Sequence, residues 1–400
     1  MLDNARVPVI ALIDGEHHPA AVRDALARVE RERELAGVAF CGGEEKLPDQ
    51  PLEEIYGRPV DQSPHQALRR LAGQSETVVD LADEPVLGPS AKLRLAALAL
   101  HLGLRYETPG LTLDPPRYSP IDFAGPKLAV IATGKRTGKT ALAGHLAGLL
   151  AGDDPLIVCM GRGDPARPVV GEPDTTLDDL IALSESGVHA ASDYLEDAVL
   201  AGVRTVGCRR VGGGPTGMAF ESNLLEGAAL AASLNPGCII FEGSGSCVPP
   251  VEVDRTLCIV GPGEPEPLSG YGLLRADLVV AHHGAVAPPD ALRFGLRPEP
   301  AEPLPDDARV ALFTTGADRC EGVEPLVSSD NLSRRAALGE DLDRAVAEGC
   351  DTWLTELKAA AIDTVAMRAR AEGARVIFVR NRPVGDGLDE ALLSLGRDAC

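Results

Sequence analysis

Short apolar runs alternate with amphipathic stretches along the whole chain. PVIALID (8–14), GVAFCGG (37–43) and TVVDLAD (77–83) read as strands. Between and after them, AAVRDALARVERERE (20–34) and PSAKLRLAALALHLG (89–103) carry helical spacing, the second with Ser90 as its predicted N-cap and Gly103 as its stop. A second set of apolar runs is almost free of polar interruptions: KLAVIA (127–132), PLIVCM (155–160), VRTVGC (203–208), GCIIFE (237–242), TLCIV (256–260) and DLVVA (277–281). Strands of that kind are buried on both faces, which points to a parallel sheet covered by helices such as TALAGHLAGLLA (140–151). A third set holds the strands ARVALFTTG (308–316) and RVIFVRNRP (375–383) and the helices 332–349 and 363–373.

Two proline-rich stretches punctuate this pattern: LDPPRYSPIDFAGP (113–126) reads as a linker or edge segment, and RPEPAEPLPDD (297–307) as a joint that opens the third set. The expected organisation is therefore α/β in three parts: an N-terminal Rossmann-like segment (1–124), a central P-loop NTPase domain with a parallel sheet (125–290), and a C-terminal α/β segment (291–400).

Composition narrows the function. With 400 residues, 60 acidic against 38 basic side chains and a formal charge of −22, the chain lacks the broad basic surface of a nucleic-acid binder. No apolar run is long enough to span a bilayer, and no membrane partner is expected. The nine cysteines form no CxxC pair, which fits reduced thiols and a cytoplasmic location. Only six of the 38 basic residues are Lys, and two of the six, Lys135 and Lys139, share one short loop. In a chain that uses Arg almost everywhere else, a retained Lys suggests a need for a compact ammonium.

That loop lies in AVIATGKRTGKTALAGHL (129–146), where a strand, a Gly-rich turn and a helix follow in order. Backbone N–H groups of such a turn cradle a polyphosphate, Lys139 reaches its β/γ-phosphates, and Thr140 can ligate Mg²⁺. The pattern departs from GxxxxGK[ST] at its first position, where Thr133 stands and Gly134 follows. The expected nucleotide-binding residues are Thr133, Gly134, Thr137, Gly138, Lys139 and Thr140. Glu242, ending a buried strand, is the expected second metal ligand. Arg162, Arg167, Arg209 and Arg210 sit in loops after strands. One such Arg alone reads as a surface ion pair, but the group reads as a receptor for an anionic second substrate, with the GGG run (Gly213, Gly214) adding backbone donors. In DGEHHP (14–19), His17 and His18 suit phosphate binding, metal ligation or proton transfer, or simply a polar helix-capping loop. His282 and His283 are similarly placed after a strand.

Taken together, LIDGEHHP (12–19), DLADEPVL (80–87), ATGKRTGKTA (132–141), GRGDP (161–165), ASDYLEDA (191–198), VGCRRVGGGPTG (206–217), ESNLLEGA (221–228), FEGSGS (241–246) and SSDNLSRRAALGEDL (328–342) resemble the cyclic 2,3-diphosphoglycerate synthetase family over nearly the full length. The resemblance implies an ATP- and Mg²⁺-dependent ligase that converts 2,3-diphosphoglycerate to its cyclic pyrophosphate. It also implies roles: Lys139, Thr140 and Glu242 for the nucleotide, and Lys135, Arg136, Arg162, Arg209, Arg210, His17 and His18 for the bisphosphate. A homodimer is a possible assembly, since P-loop proteins of this kind often pair. The competing readings are a regulatory or metallochaperone-type GTPase and a kinase of a small phosphorylated acid. The absence of NKxD or TKxD favours ATP over GTP.

Overall fold

The computed structural model describes residues 7–163, 165–317 and 319–399. They fall into two compact units. The first comprises the chain up to Arg117 with the short pieces Pro215–Gly217 and Pro265–Arg275; the second holds the remainder.

The first unit is built on β1 (Pro8–Ile13), β2 (Glu34–Phe40), β3 (Thr77–Asp80), β4 (Arg105–Thr108) and β5 (Leu111–Leu113), in the order β2-β1-β3-β4-β5. All pairs are parallel except β4–β5. The helix expected over 89–103 begins at Pro89 with Gly88 as its N-cap, so Ser90 lies inside it and does not cap it. Proline at the first helical position sets the start there, because its fixed φ is helical and its missing N–H is not needed.

The second unit carries one sheet of thirteen strands: β6 (Lys127–Ala132), β7 (Pro155–Gly161), β8 (Val169–Gly171), β9 (Thr205–Val211), β10 (Glu221–Ser222), β11 (Cys238–Glu242), β12 (Arg255–Val260), β13 (Leu278–His282), β14 (Leu292–Pro300), β15 (Val310–Phe313), β16 (Val327–Ser329), β17 (Thr352–Glu356) and β18 (Arg375–Val384). The order is β10-β9-β7-β11-β6-β12-β13-β14-β18-β17-β15-β16, with β8 paired to β9. From β9 to β14 every neighbour is parallel, and so are β15 to β18 among themselves. The two blocks meet at one antiparallel seam, β14 with β18.

That seam corrects the reading of RPEP (297–300) as a joint. β14 leaves β13 after Phe294 and continues along β18 from Gly295 to Pro300. Pro298 and Pro300 are tolerated because they alternate. Ala301 N donates to Phe378 O, so the donors at odd positions face β18, and the two missing N–H groups fall on the other side. Because β14 runs on past the carboxyl end of β13 and β18 returns antiparallel to it, the β15–β18 block turns its carboxyl ends back toward those of the β6–β13 block. Ligand sites of open α/β sheets form at such carboxyl edges, and here two of them face one another. Strand β9 is also longer than expected, and Arg209 and Arg210 lie within it rather than in the loop beyond. The helix expected over 363–373 opens as a π-turn at Ala361–Ala366.

A single core runs through both blocks, from Leu128, Leu142 and Ile240 to Trp353, Ile362 and Leu392. Trp353 is fully buried, tilts onto Phe313 at 5.4 Å and donates from Nε1 to Cys350 O. Trp353→Ala is expected to cost about 3–5 kcal/mol, read as a lower urea midpoint at unchanged slope, since a fully buried indole is lost from the core.

Candidate nucleotide and phosphate site

β6 ends in the Gly-rich turn, and the helix Lys139–Leu149 starts at once with Gly138 as its N-cap at φ +79°. A side chain at 138 would be strained there, and its Cβ would stand 3.1 Å from Leu296 of β14. Arg136 takes a positive φ of 55° and is exposed, as is Lys135. Thr133 N donates to Ile259 O, fixing the start of the turn on β12. Thr137 is buried with its hydroxyl unpartnered, while its carbonyl accepts an N–H from His282 at 3.0 Å. Lys139 is only 8% exposed; its Nζ donates to Gly245 O at 3.1 Å and to Gly134 O at 3.4 Å. Thr140 Oγ1 donates to Glu242 Oε1 at 2.8 Å, and Glu242 Oε2 is buried without a partner.

The turn after β11 gathers the cations. Ser244 and Cys247 exchange backbone hydrogen bonds, with Gly245 at φ +61° between them. Arg210 Nη2 donates to Ser244 O at 3.0 Å and Nη1 to Gly212 O at 2.8 Å, while its Nε is buried and unpartnered. A Cβ on Gly245 would lie 2.6 Å from Arg162 Nη2, 3.5 Å from Arg210 Nη2 and 3.6 Å from Lys135 Cγ. Four of the expected cations, Lys135, Lys139, Arg162 and Arg210, therefore surround one turn. Gly213 is close to it too, since a Cβ there would meet Cys247 Sγ at 2.9 Å and Arg210 Nη1 at 3.2 Å, and Gly214 N donates to Met218 O.

Three of the other expected residues, Arg209, His17 and His18, have different surroundings. Arg209 neighbours Arg210 on a strand and so projects to the opposite face, where it pairs with Glu221 at 3.6 Å. Arg167 is exposed. His17 and His18 belong to the first unit. There the fully buried Asp14 accepts from Glu16 N, His17 N and the His17 ring at 2.8 Å through Oδ1, and from Asp83 N through Oδ2. His18 caps the following helix, its Nδ1 accepting from Ala20 N.

The residue pattern of ASDYLEDA points to no role for its acids, yet they converge beside Glu242. A short helix (Asp193–Glu196) runs into a π-turn (Asp197–Ala201), and the extra residue of that turn brings Asp197 against Cys159, whose Sγ donates to it at 3.2 Å. Asp197, Glu242 and Cys159 place their ligand atoms within 4.8 Å of one another. Glu196 pairs with Lys358 of the β17 loop at 3.0 Å, and Glu356 accepts from Thr315 and Asn381. The Lys358–Glu196 pair joins the two facing carboxyl edges. An i,i+1 pair of acids in a mostly apolar helix was the signal available in the sequence.

Burial dominates the electrostatics. It lifts the Glu242 carboxyl from 4.5 to about 7, Asp193 adding to the rise while Lys139 and Thr140 oppose it. Burial also lifts Glu196 to about 7 and Asp197 well above its usual value. The Lys139 ammonium is lowered by burial, with Glu242 and Asp193 pulling it back. The two buried carboxyls of that cluster, Glu242 and Asp197, with the orphaned Glu242 oxygen beside Thr140, fit a hard divalent cation, which prefers oxygen donors.

A pH dependence follows. The unfolded Glu242 carboxyl ionises near 4.5, whereas the folded one keeps its proton to about 7. Its contribution to stability is thus complete below pH 4.5 and is lost as pH rises through 7. In cation-free protein, Glu242→Gln is expected to gain stability relative to the parent between pH 5 and pH 8, measured by denaturant titration. Parallel pH profiles for the two proteins would refute this.

Comparison with known proteins bears on the whole chain. It matches the families described as "Cyclic 2,3-diphosphoglycerate synthetase, N-terminal domain" over residues 8–114, "Cyclic 2,3-diphosphoglycerate synthetase, P-loop domain" over 127–280 and "Cyclic 2,3-diphosphoglycerate synthetase C-terminal domain" over 307–382. It is 43% identical to the cyclic 2,3-diphosphoglycerate synthetase of Rubrobacter xylanophilus, with 97% of each chain covered. The proteins of the same name from Thermococcus onnurineus (37% identical, 97% of this chain and 98% of the other) and Methanothermobacter thermautotrophicus (34%, 99% and 97%) are also similar. The chain belongs to the cyclic 2,3-diphosphoglycerate synthetase family.

Proposed function

We propose that this chain uses ATP to close 2,3-diphosphoglycerate into its cyclic pyrophosphate, releasing ADP and inorganic phosphate. Family membership over the full length supports the reaction. The observation that carries the site assignment is that Lys139 and Arg210 donate to the adjacent carbonyls of Gly245 and Ser244.

The reaction needs two displacements at phosphorus. An oxygen of one substrate phosphate attacks the γ-phosphorus of ATP, and ADP leaves. An oxygen of the neighbouring phosphate then attacks the phosphorus of the activated phosphate, forming the anhydride and expelling inorganic phosphate. Every reactant is a polyanion, so fixed positive charge does most of the work. Lys139, buried at the helix N-terminus, is the ammonium for the β/γ-phosphates, and the backbone of 133–138 supplies N–H donors. Arg210, Arg162 and Lys135 neutralise the bisphosphate and the departing phosphate; the unpartnered Arg210 Nε is a donor ready for a phosphate oxygen. Arg136 stands in the same loop. Thr140 and Glu242 would hold Mg²⁺, on the evidence of the orphaned Glu242 Oε2. When bound, the cation would neutralise charge on the nucleotide phosphates. His17 and His18 are proposed ligands of a substrate phosphate, with Asp14 orienting His17 within its own unit.

Phosphorus NMR of the product tests the reaction: a cyclic pyrophosphate shows two coupled anhydride phosphorus atoms, which a kinase product of this acid would not show in a ring. ATP hydrolysis independent of 2,3-diphosphoglycerate would contradict the proposal. Arg210→Ala is expected to raise KM for the bisphosphate about ten-fold or more, as loss of one charge-assisted contact implies, while Arg209→Ala leaves it within two-fold. The reverse ranking, measured by steady-state kinetics, would remove Arg210 from the substrate site.

A further inference from the structure

A cavity of about 210 Å³ lies beside the helix Lys139–Leu149, walled by Ala141, Gly144 and Gly148 of that helix, Leu200 and Ala201 of the π-turn, and Pro383 of β18. None of these residues takes part in the reaction described above. Two glycines inside one helix are unfavourable by about 1 kcal/mol each relative to Ala. A Cβ at Gly144 would meet Ala201 Cβ at 2.9 Å, so that glycine admits the π-turn; one at Gly148 would meet nothing within 4 Å, so that glycine leaves space.

The lining is part apolar and part polar, and the polar part includes Thr140 and the consecutive acids Glu196 and Asp197. Glu196 is 7% exposed; Oε1 is taken by Lys358, and Oε2 has no hydrogen-bond partner. Asp197, 2% exposed, follows it in the chain, lines the same cavity and accepts from Cys159 Sγ. Arg380 and Arg382 also line the cavity, but both are paired to Glu299, and His145 is paired to Asp389. Among these charged groups, the acceptor left open is therefore Glu196 Oε2.

A bare metal ion would find too few oxygens and an apolar wall in place of its remaining ligands. A primary ammonium has three N–H donors and suits two carboxylates and a hydroxyl, and an attached alkyl chain suits the apolar remainder. We propose that this cavity binds a small primary alkylammonium ion, its charged end against Glu196 and Asp197 and its chain along Ala141, Gly148 and Leu200. Because Asp197 lines the cavity and also belongs to the cluster with Glu242, a bound ammonium and the divalent cation compete for it, and the amine antagonises Mg²⁺-nucleotide binding. That consequence rests on the cation site proposed above; the binding itself does not.

The test is calorimetric titration of the intact chain with n-hexylammonium chloride, without nucleotide or Mg²⁺, beside n-hexanol and hexanoate. Saturable one-to-one binding of the ammonium is expected, at least ten-fold tighter than that of either control. Glu196→Gln is expected to weaken it at least ten-fold. Gly148→Leu, which fills open space at an exposed helix position, is expected to abolish it while the thermal midpoint stays near that of the parent. Equal binding of hexanol, or undiminished binding by Gly148→Leu, would overturn the proposal, and should Glu196→Gln not fold, the Gly148 variant decides alone. Since no nucleotide is present, failure here leaves the catalytic proposal standing, and failure of the catalytic proposal leaves this one.

Discussion

Two neighbouring peptide carbonyls, those of Ser244 and Gly245, receive Arg210 and Lys139 respectively, and the placement of charge in the second unit depends on them. A buried ammonium and a guanidinium repel one another, and in an otherwise acidic molecule neither would settle beside the other without acceptors on the same short turn. The backbone supplies those acceptors at fixed positions. They cost nothing to reorganise, and phosphate oxygens can replace them, since both kinds of oxygen accept from the same donors. A side-chain carboxylate in their place would hold the cations more tightly and compete with the substrate. The turn leaves the cations organised yet available.

The second constraint is topological. One antiparallel seam between two parallel blocks turns their carboxyl edges toward each other. The P-loop edge contributes cations and Glu242, and the opposing edge contributes Lys358, Glu356 and Asn381. The acids 193–197 lie between, where burial raises Glu196, Asp197 and Glu242 together. Lys358 holds its charge in this group, Glu196 and Glu356 outweighing the cost of burial. The rarity of lysine in the chain acquires a physical sense here. Lys139 and Lys358 both sit where a compact ammonium fits among carbonyls and carboxylates that a planar guanidinium would crowd.

Much of this was legible before any coordinates. Unbroken apolar runs located β6, β7, β11, β12 and β13 because strands covered on both faces leave no other pattern, and Gly138-Lys139-Thr140 fixed the helix start. What failed did so for identifiable reasons. RPEP reads as a joint because proline lacks a donor, yet a strand needs donors on only one side when its other side is free of ladder partners. Arg209 and Arg210 read as a pair because adjacency in sequence suggests adjacency in space, whereas a strand separates neighbours onto opposite faces. The inward position of Asp197 does not follow from periodicity, because a π-turn shifts which residues of a helix face inward; the adjacent acids Glu196 and Asp197 are the one trace of it in the sequence.

The account stands on the turn that unites the cations, and Gly245→Ala probes it directly. The new methyl group would displace Arg162 and strain a positive φ, at a cost to stability of about 1 kcal/mol. Calorimetric titration with 2,3-diphosphoglycerate should then show affinity at least ten-fold weaker than the parent's in a protein that still melts cooperatively. Unchanged affinity in the folded variant would mean that the bisphosphate binds elsewhere.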